Sequence, residues 1–230
     1  MVELNRYKFF IGKLLFARHF RRVAGQLAGP ILDIGAGSAP FRRYLPHPKI
    51  VSVDIRPDVR PDVCASVARS PFRDASFESV ICTEVLEHVP EPAGALTELR
   101  RVIRPNGHLY VTVPMLWPMH YEPHDYYRYT RHGLAYLLDR AGFDVIDIQP
   151  VGGLFSFLSM RACEKLFNLV HKLAFFLPKR HRYLWSVPLT LPVSYAMYLL
   201  SLVLDPLMPK DVFAWSVLAR PSPGTRGATR

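Results

Sequence analysis

The sequence predicts an α/β fold, a mostly parallel sheet with helices on both faces. Three observations predict it. Short apolar, β-branched runs alternate with helical patterns between residues 30 and 150. The first of these runs breaks at Asp33 into "IGAGSAP", a glycine turn at a strand end. The second closes on another acid, Asp54.

The elements follow in order. Strands are predicted at Pro30–Ile34, Ile50–Ile55, Ser79–Cys82 and His108–Val113. A helix is predicted at Pro92–Ile103, closed by "RPNG". A further helix carries Leu134, Leu137 and Leu138 on one side and stops at Gly142, before a strand around Val145–Ile148. The C-terminal third departs from this rhythm. Between Phe157 and Leu177 the charged and larger polar residues Arg161, Glu164, Lys165, Asn168, His171 and Lys172 share one helical wedge, leaving a wide apolar face. After Lys179, Arg180 and Arg182, the chain runs without charge from Tyr183 to Leu204. Pro188 and Pro192 are expected to break that run, leaving Val193–Leu204, at about 18 Å too short to cross a bilayer. "DVFAWSVLAR" reads as a last strand, and the tail after it as disordered.

The glycine turn admits several ligands. A dinucleotide fingerprint wants G-x-G-x-x-G, but the sixth position is Pro40. The shorter D-x-G-x-G-x-[GA] form fits better, with Asp33, Gly35, Gly37 and Ala39. Asp54 can accept hydrogen bonds from two ribose hydroxyls. A third block, "SPFRDASFESVICTEVLEHVPEP", follows at residues 70–92.

Together, "LDIGAGSA", "VSVDI" and this block closely resemble the class I S-adenosylmethionine-dependent methyltransferases, in their small-molecule branch. The resemblance covers about residues 25–150 and resumes at the end of the chain. It implies a Rossmann-like sheet of seven strands, whose antiparallel seventh would be Phe213–Ala219. It also implies S-adenosyl-L-methionine as cofactor. Gly35, Ala36 and Gly37 would lie along its methionine part, Asp33 would reach its amino group, and Asp54 would hold the ribose. Ser66, where the family usually has Asp, and Val67 would meet the adenine edge. Thr83 and Glu84 would shape the pocket where cofactor and acceptor meet, with His88 beside them; Glu84 and His88 could equally cap and pack the helix that follows.

The loop "VPMLWPMHYEPHDYYRYTRHG" follows the fourth predicted strand and should face the transferred methyl group. Its candidates for the chemistry are His120, His124 and Asp125. One histidine could take a proton from an acceptor hydroxyl. Alternatively, His124 and Asp125 form a latch that caps the helix starting near Thr130. The spacing His120-x-x-x-His124-Asp125 could suit a metal, but Pro118 and Pro123 oppose the helix it needs, so no metal ligand is assigned.

Charge is unevenly spread. Residues 1–30 hold six Lys/Arg against one acid and residues 151–230 hold ten against three, whereas the middle has 13 against 15. Basic flanks suit RNA or anionic lipid. The chain lacks N-P-P-Y after the fourth strand and any cysteine nucleophile motif, which favours a small or lipid-like acceptor, most simply an oxygen, over RNA. A non-catalytic scaffold is a third reading, opposed by the intact Asp33, Gly35, Gly37 and Asp54.

The expected organisation is a basic helical segment (1–29), a cofactor-binding core (30–150), an apolar helical insertion (151–210), a final strand (211–220) and a tail (221–230). The insertion would rest on a membrane from one side through residues 157–207, cap the pocket, or form a homodimer contact. The N-terminus lacks a cleavable signal pattern, and Cys64, Cys82 and Cys163 read as small core residues of a reducing compartment. The expected location is cytoplasmic, with peripheral contact on the membrane face.

Overall fold

A computed structural model describes residues 10–45 and 49–223; the side chains of residues 176, 179, 180 and 182–184 lie outside that description. The residues before Phe10, most of the tail, and the side chains of Lys179, Arg180 and Arg182 on which the basic-flank expectation rests lie outside it too. Helix α1 (Phe10–Val23) is followed by β1 (Ile31–Ile34), β2 (Ile50–Asp54), β3 (Val63–Cys64) and β4 (Phe77–Thr83). Then come α2 (Pro92–Val102), β5 (Ile103–Pro114), α3 (Arg131–Arg140) and β6 (Phe143–Gly153). Two long helices, α4 (Leu154–Leu173) and α5 (Lys179–Leu204), precede β7 (Val212–Pro221).

The strands form one seven-stranded sheet in the order β3-β2-β1-β4-β5-β7-β6. The pairs β1–β2, β1–β4, β2–β3 and β4–β5 are parallel, and β7 runs antiparallel to β5. This is the Rossmann-like sheet the sequence predicts. The order reverses at β1, whose neighbours β2 and β4 lie on opposite sides, and such a switch point opens a crevice at the strand ends.

Strand β1 is buried at all four positions, as a central parallel strand must be. Ile31, Ile81, Tyr110 and Leu218 from four strands pack with Phe20, Val23 and Leu27. The buried Tyr110 hydroxyl accepts a hydrogen bond from Ser216 Oγ at 3.0 Å, so its polar end is satisfied. Helix α2 buries Ala95, Leu96, Leu99 and Val102, one face at helical spacing. Strand β5 begins five residues before the predicted His108, because "IRPNG" pairs rather than turns: Ile103 pairs with Phe77, with a register shift before Ser79. Gly107 permits it, since a Cβ there would stand 2.5 Å from the Glu78 carbonyl oxygen.

The chain divides into two compact units. One takes α1 up to Arg18 together with Pro150–Phe213, and the other takes His19–Gln149 with the chain from Ala214. In the first unit α4 packs on α5. Asp205 anchors the start of α4: its carboxylate accepts from the Ser156 amide at 3.0 Å and from the Ser156 hydroxyl.

Two expectations are corrected. Helix α5 continues through both prolines as 26 residues, about 39 Å at 1.5 Å per residue. Pro188 and Pro192 lie four residues apart on the exposed side, where solvent-facing carbonyls need no intrahelical partner. On the buried side Thr190 Oγ1 donates to the Ser186 carbonyl at 2.7 Å and Ser194 Oγ to that of Thr190 at 3.0 Å. The segment Trp185–Leu207 is therefore long and apolar enough to cross a membrane, with mean hydropathy 1.7. The second correction concerns Cys64, which is exposed at the end of edge strand β3; Cys82 and Cys163 are buried.

Candidate functional site

The sheet's parallel strands end together. In register, Ile34 of β1 stands between Val53 of β2 and Cys82 of β4, so the next residues, Gly35, Asp54 and Thr83, share one edge. Gly35 and Gly37 have φ of +67° and +52°, the left-handed region that glycine enters without penalty. The Gly35 position is doubly committed, since a Cβ there would lie 2.2 Å from Val85 Cγ2. The Ala36 amide bonds the Val53 carbonyl at 3.0 Å, tying the turn to β2.

Asp54 holds this turn as well as facing it. Its Oδ2 accepts from the Gly37 amide at 2.9 Å and its Oδ1 from the Arg56 amide at 2.9 Å. Each oxygen keeps a second lone pair for a ligand hydroxyl. Asp33 is 3% exposed. Burial pushes its carboxyl up to about 7, with Arg42 pulling down and Asp54 pushing up. Ser66 Oγ accepts from the Ala68 amide at 3.2 Å, and Val67 is buried beside it. The "SPFRDASF" block is held by a cluster: Arg101 donates to the carboxylates of Glu98 and Asp74 and to the Phe72 carbonyl, while Glu98 accepts from Ser70. The Arg101 and Ser70 hydrogen bonds hold Glu98 down to about 2.

Beyond Thr83 the chain turns sharply. Glu84 has φ +54°, and its amide bonds the Thr112 carbonyl at 3.0 Å. Burial raises its carboxyl to about 7, opposed by the Thr112 hydroxyl and Arg128. Neither that hydroxyl nor Glu84 Oε1 completes a hydrogen bond among the described residues. Glu87 is fully buried, and neither carboxyl oxygen has a hydrogen-bond partner among the described residues. Burial, and then repulsion from Glu84, raises it well above the usual carboxylate range.

The loop after β5 is bound to this segment. The Tyr126 amide donates to the Glu87 carbonyl at 2.8 Å, Tyr127 Oη to that of Pro90 at 2.8 Å, and Tyr129 Oη to that of Leu86 at 2.9 Å. Asp125 is a latch within the loop. Arg128 grips its two oxygens at 2.7 and 2.8 Å, and the His120 amide donates to it at 2.8 Å. The Arg128 hydrogen bonds hold Asp125 well below its ordinary range. The cap of α3 is Thr130, whose Oγ1 accepts from the Gly133 amide at 3.1 Å, and not His124 or Asp125. The His124 ring is exposed, with Nδ1 3.1 Å from the Tyr126 hydroxyl. Its backbone carbonyl accepts from His88 Nδ1 at 2.6 Å. The His88 and His120 rings meet edge to face at 4.7 Å. Burial, and then the nearness of His88, lowers His120 below the ordinary histidine value, favouring the neutral ring.

The structure therefore gathers Asp33, Gly35, Ala36, Gly37, Asp54, Thr83 and Glu84 along one sheet edge, and His120, His124 and Asp125 in the loop bonded to its 86–90 extension. Glu87 joins this edge without being among the residues the sequence points to; its signal is a second carboxylate three residues after Glu84, between Leu86 and His88.

Residues 32–111 match the methyltransferase domain family. An uncharacterised protein of Methanocaldococcus jannaschii is 32% identical over 36% of this chain and 40% of its own length. A ubiquinone biosynthesis O-methyltransferase of Marinobacter nauticus is 33% identical over 25% of this chain and 24% of its own length. The chain thus spans less than half the length of these curated relatives. Among solved structures, an S-adenosylmethionine-dependent methyltransferase of Archaeoglobus fulgidus superposes with a TM-score of 0.60 over 95% of this chain and 99% of its own, at 14% identity.

Proposed function

We propose, since residues 32–111 match the methyltransferase domain family, that the chain transfers a methyl group from S-adenosyl-L-methionine to an oxygen of a small or lipid-like acceptor at a membrane surface. The observation that carries the transfer is the sheet edge where Asp33, the Gly35–Gly37 turn and Asp54 converge. There Asp33 would pair with the amino group of bound S-adenosylmethionine and the turn would follow its methionine part. Asp54 accepts from the ribose hydroxyls, and Ser66 and Val67 border the adenine. In the reaction the methyl carbon leaves the sulfonium sulfur, which keeps the bonding pair and becomes a thioether. The acceptor oxygen forms the new bond, and its proton passes to a base. His124, with Nδ1 3.1 Å from the Tyr126 hydroxyl, fills that role; Asp125, spent on Arg128, positions the loop. Positioning in a dry pocket supplies much of the acceleration, because the donor is already activated.

The lipid-like acceptor is supported by the relative named for ubiquinone biosynthesis and by the helical pair. Positions buried in α4 and α5 are mostly small: Ser156, Ser159, Cys163, Ser186, Thr190 and Ser194. The exposed ones include Leu158, Leu169, Trp185, Leu189, Leu199 and Val203. Small residues between helices and large apolar ones outside is the pattern of helices whose surroundings are lipid. The pair connects β6 to β7, neighbours in one sheet, so it leaves and returns on one side. The chain is then a cytoplasmic protein held peripherally, or inserted as a hairpin, at the membrane face.

Three measurements test this reading. Calorimetry should show S-adenosylmethionine binding that Asp54→Ala weakens at least about tenfold, because two buried hydroxyls lose their acceptor; equal affinity sinks the cofactor assignment. Methyl-labelled cofactor with a lipid extract should yield a labelled lipid. The whole chain should float with anionic liposomes and remain bound at high salt, where a phosphate-binding protein is released. A chain that stays in the soluble fraction at low salt removes the membrane part.

A further inference from the structure

Glu87 poses a problem that the cofactor reading does not use. A carboxyl group at zero exposure with no hydrogen bond to either oxygen is costly, and native proteins compensate such groups. The nearest guanidinium cannot serve. All five N–H groups of Arg128 are spent: Nε on the Trp117 carbonyl, Nη1 on Asp125 and the Tyr127 carbonyl, Nη2 on Asp125 and the Pro118 carbonyl. Glu84 lies close enough to add repulsion.

The two histidines beside Glu87 are oriented alike. His88 Nδ1 lies 2.6 Å from the His124 carbonyl and His120 Nδ1 lies 3.1 Å from the Pro118 carbonyl. A carbonyl only accepts, so each Nδ1 carries the proton and each Nε2 presents a lone pair. An imidazole whose far nitrogen is tied to a backbone carbonyl is how metal-binding histidines are held. Ligand atoms of Glu87, His88 and His120 all lie within 4.8 Å of one another, and His88 Nε2 stands 3.7 Å from Glu87 Oε1. Two donors each about 2.1 Å from one ion lie roughly 3 to 3.5 Å apart, so a small inward movement closes the set.

We propose that Glu87, His88 and His120 form a binding site for one divalent transition-metal ion, adjacent to the cofactor turn. Two imidazoles and a carboxylate suit Zn2+, Co2+, Mn2+ or Fe2+ better than Mg2+, which prefers oxygen. Three protein ligands leave positions open for an outside oxygen. Val85, packed against Gly35, sets the site next to the turn. If the chain is the oxygen methyltransferase proposed above, the open positions take the acceptor oxygen and ease loss of its proton. That last clause rests on the functional reading; the ion site rests on the side chains alone.

The test is titration of chelator-treated full-length protein with Co2+, followed by its visible ligand-field absorption, with displacement by Zn2+. One ion per chain is expected. Glu87→Gln, His88→Ala and His120→Ala should each weaken binding at least about tenfold, and His132→Ala, on the exposed side of α3, should leave it unchanged. Circular dichroism and S-adenosylmethionine calorimetry on the same samples report whether each variant is folded. Absence of stoichiometric Co2+ binding, or full binding in folded Glu87→Gln, overturns the site and leaves Glu87 as a buried carboxyl beside His88. Cofactor binding without metal binding defeats this inference alone; metal binding without cofactor binding defeats the functional reading alone.

Discussion

The sheet and the helical pair bury different mixtures of residue. Around β1, β4 and β5 the interior is Ile31, Ile81, Tyr110 and Leu218, with Leu96 and Leu99 of α2 fully enclosed elsewhere in the same unit. Within α4 and α5 the buried positions are largely serine, threonine and cysteine, with Met160 and Phe167 among them, while Leu158, Leu169, Trp185, Leu189, Leu199 and Val203 are exposed. The sheet unit is organised by water, which drives large apolar groups inward. The pair departs from that pattern by leaving large apolar groups exposed. Substitutions in the two regions test whether lipid covers that surface, as proposed above.

The largest effect is expected where water rules. Leu96→Ala should cost about 2–5 kcal/mol, the range for a fully buried leucine, read by chemical denaturation. If it costs no more than an exposed leucine, the contrast fails. Next is Ser194→Leu, which forces bulk between the helices and should cost about 1–3 kcal/mol although it adds apolar surface. A stabilised variant would mean that the interface between α4 and α5 is loose.

A pH measurement follows. The Asp33 carboxyl, raised to about 7 by burial, binds its proton more tightly folded than unfolded. Its contribution to the stability of the cofactor-free protein is therefore greatest below the unfolded value near 4 and declines as pH rises towards 7. Binding a cationic amino group needs the carboxylate. Cofactor affinity should then rise with pH, approaching about tenfold per unit well below 7, and level off above it. Asp33→Asn should flatten that slope in calorimetry. A slope retained in Asp33→Asn assigns the proton elsewhere.

The smallest effect on stability is the sharpest for the comparison. Leu199→Gln on the exposed face of α5 should change unfolding by less than about 0.5 kcal/mol in solution. It should nevertheless reduce liposome flotation. Unchanged flotation would remove Leu199 from the lipid-facing surface.

The sheet was legible in the sequence because its strands are buried on both faces and read as apolar runs bounded by turns. The Asp33–Gly37 turn and Asp54 were legible because few residue types satisfy those backbone positions. Three features were not. The persistence of α5 depends on which side its prolines face, and propensity counts each as a breaker. The cap at Thr130 was hidden by more conspicuous histidines nearby, although threonine before a helix is itself a capping signal. The meeting of Glu87, His88 and His120 depends on how a loop more than 25 residues further on folds back, and no local period encodes that.

The contact between Gly35 and Val85 has a consequence for how this protein can diversify. The volume a side chain would need at residue 35 is already occupied by Val85 Cγ2, and φ at residue 35 is left-handed. Shrinking residue 85 relieves the first obstacle and not the second. A selection that randomises both positions should return glycine at 35 in nearly every survivor while 85 varies among side chains no larger than valine. The tolerance of the pair is one-sided. If the loop 115–130 faces the acceptor, as proposed above, new acceptor preferences would arise there while the Gly35 turn stays constant.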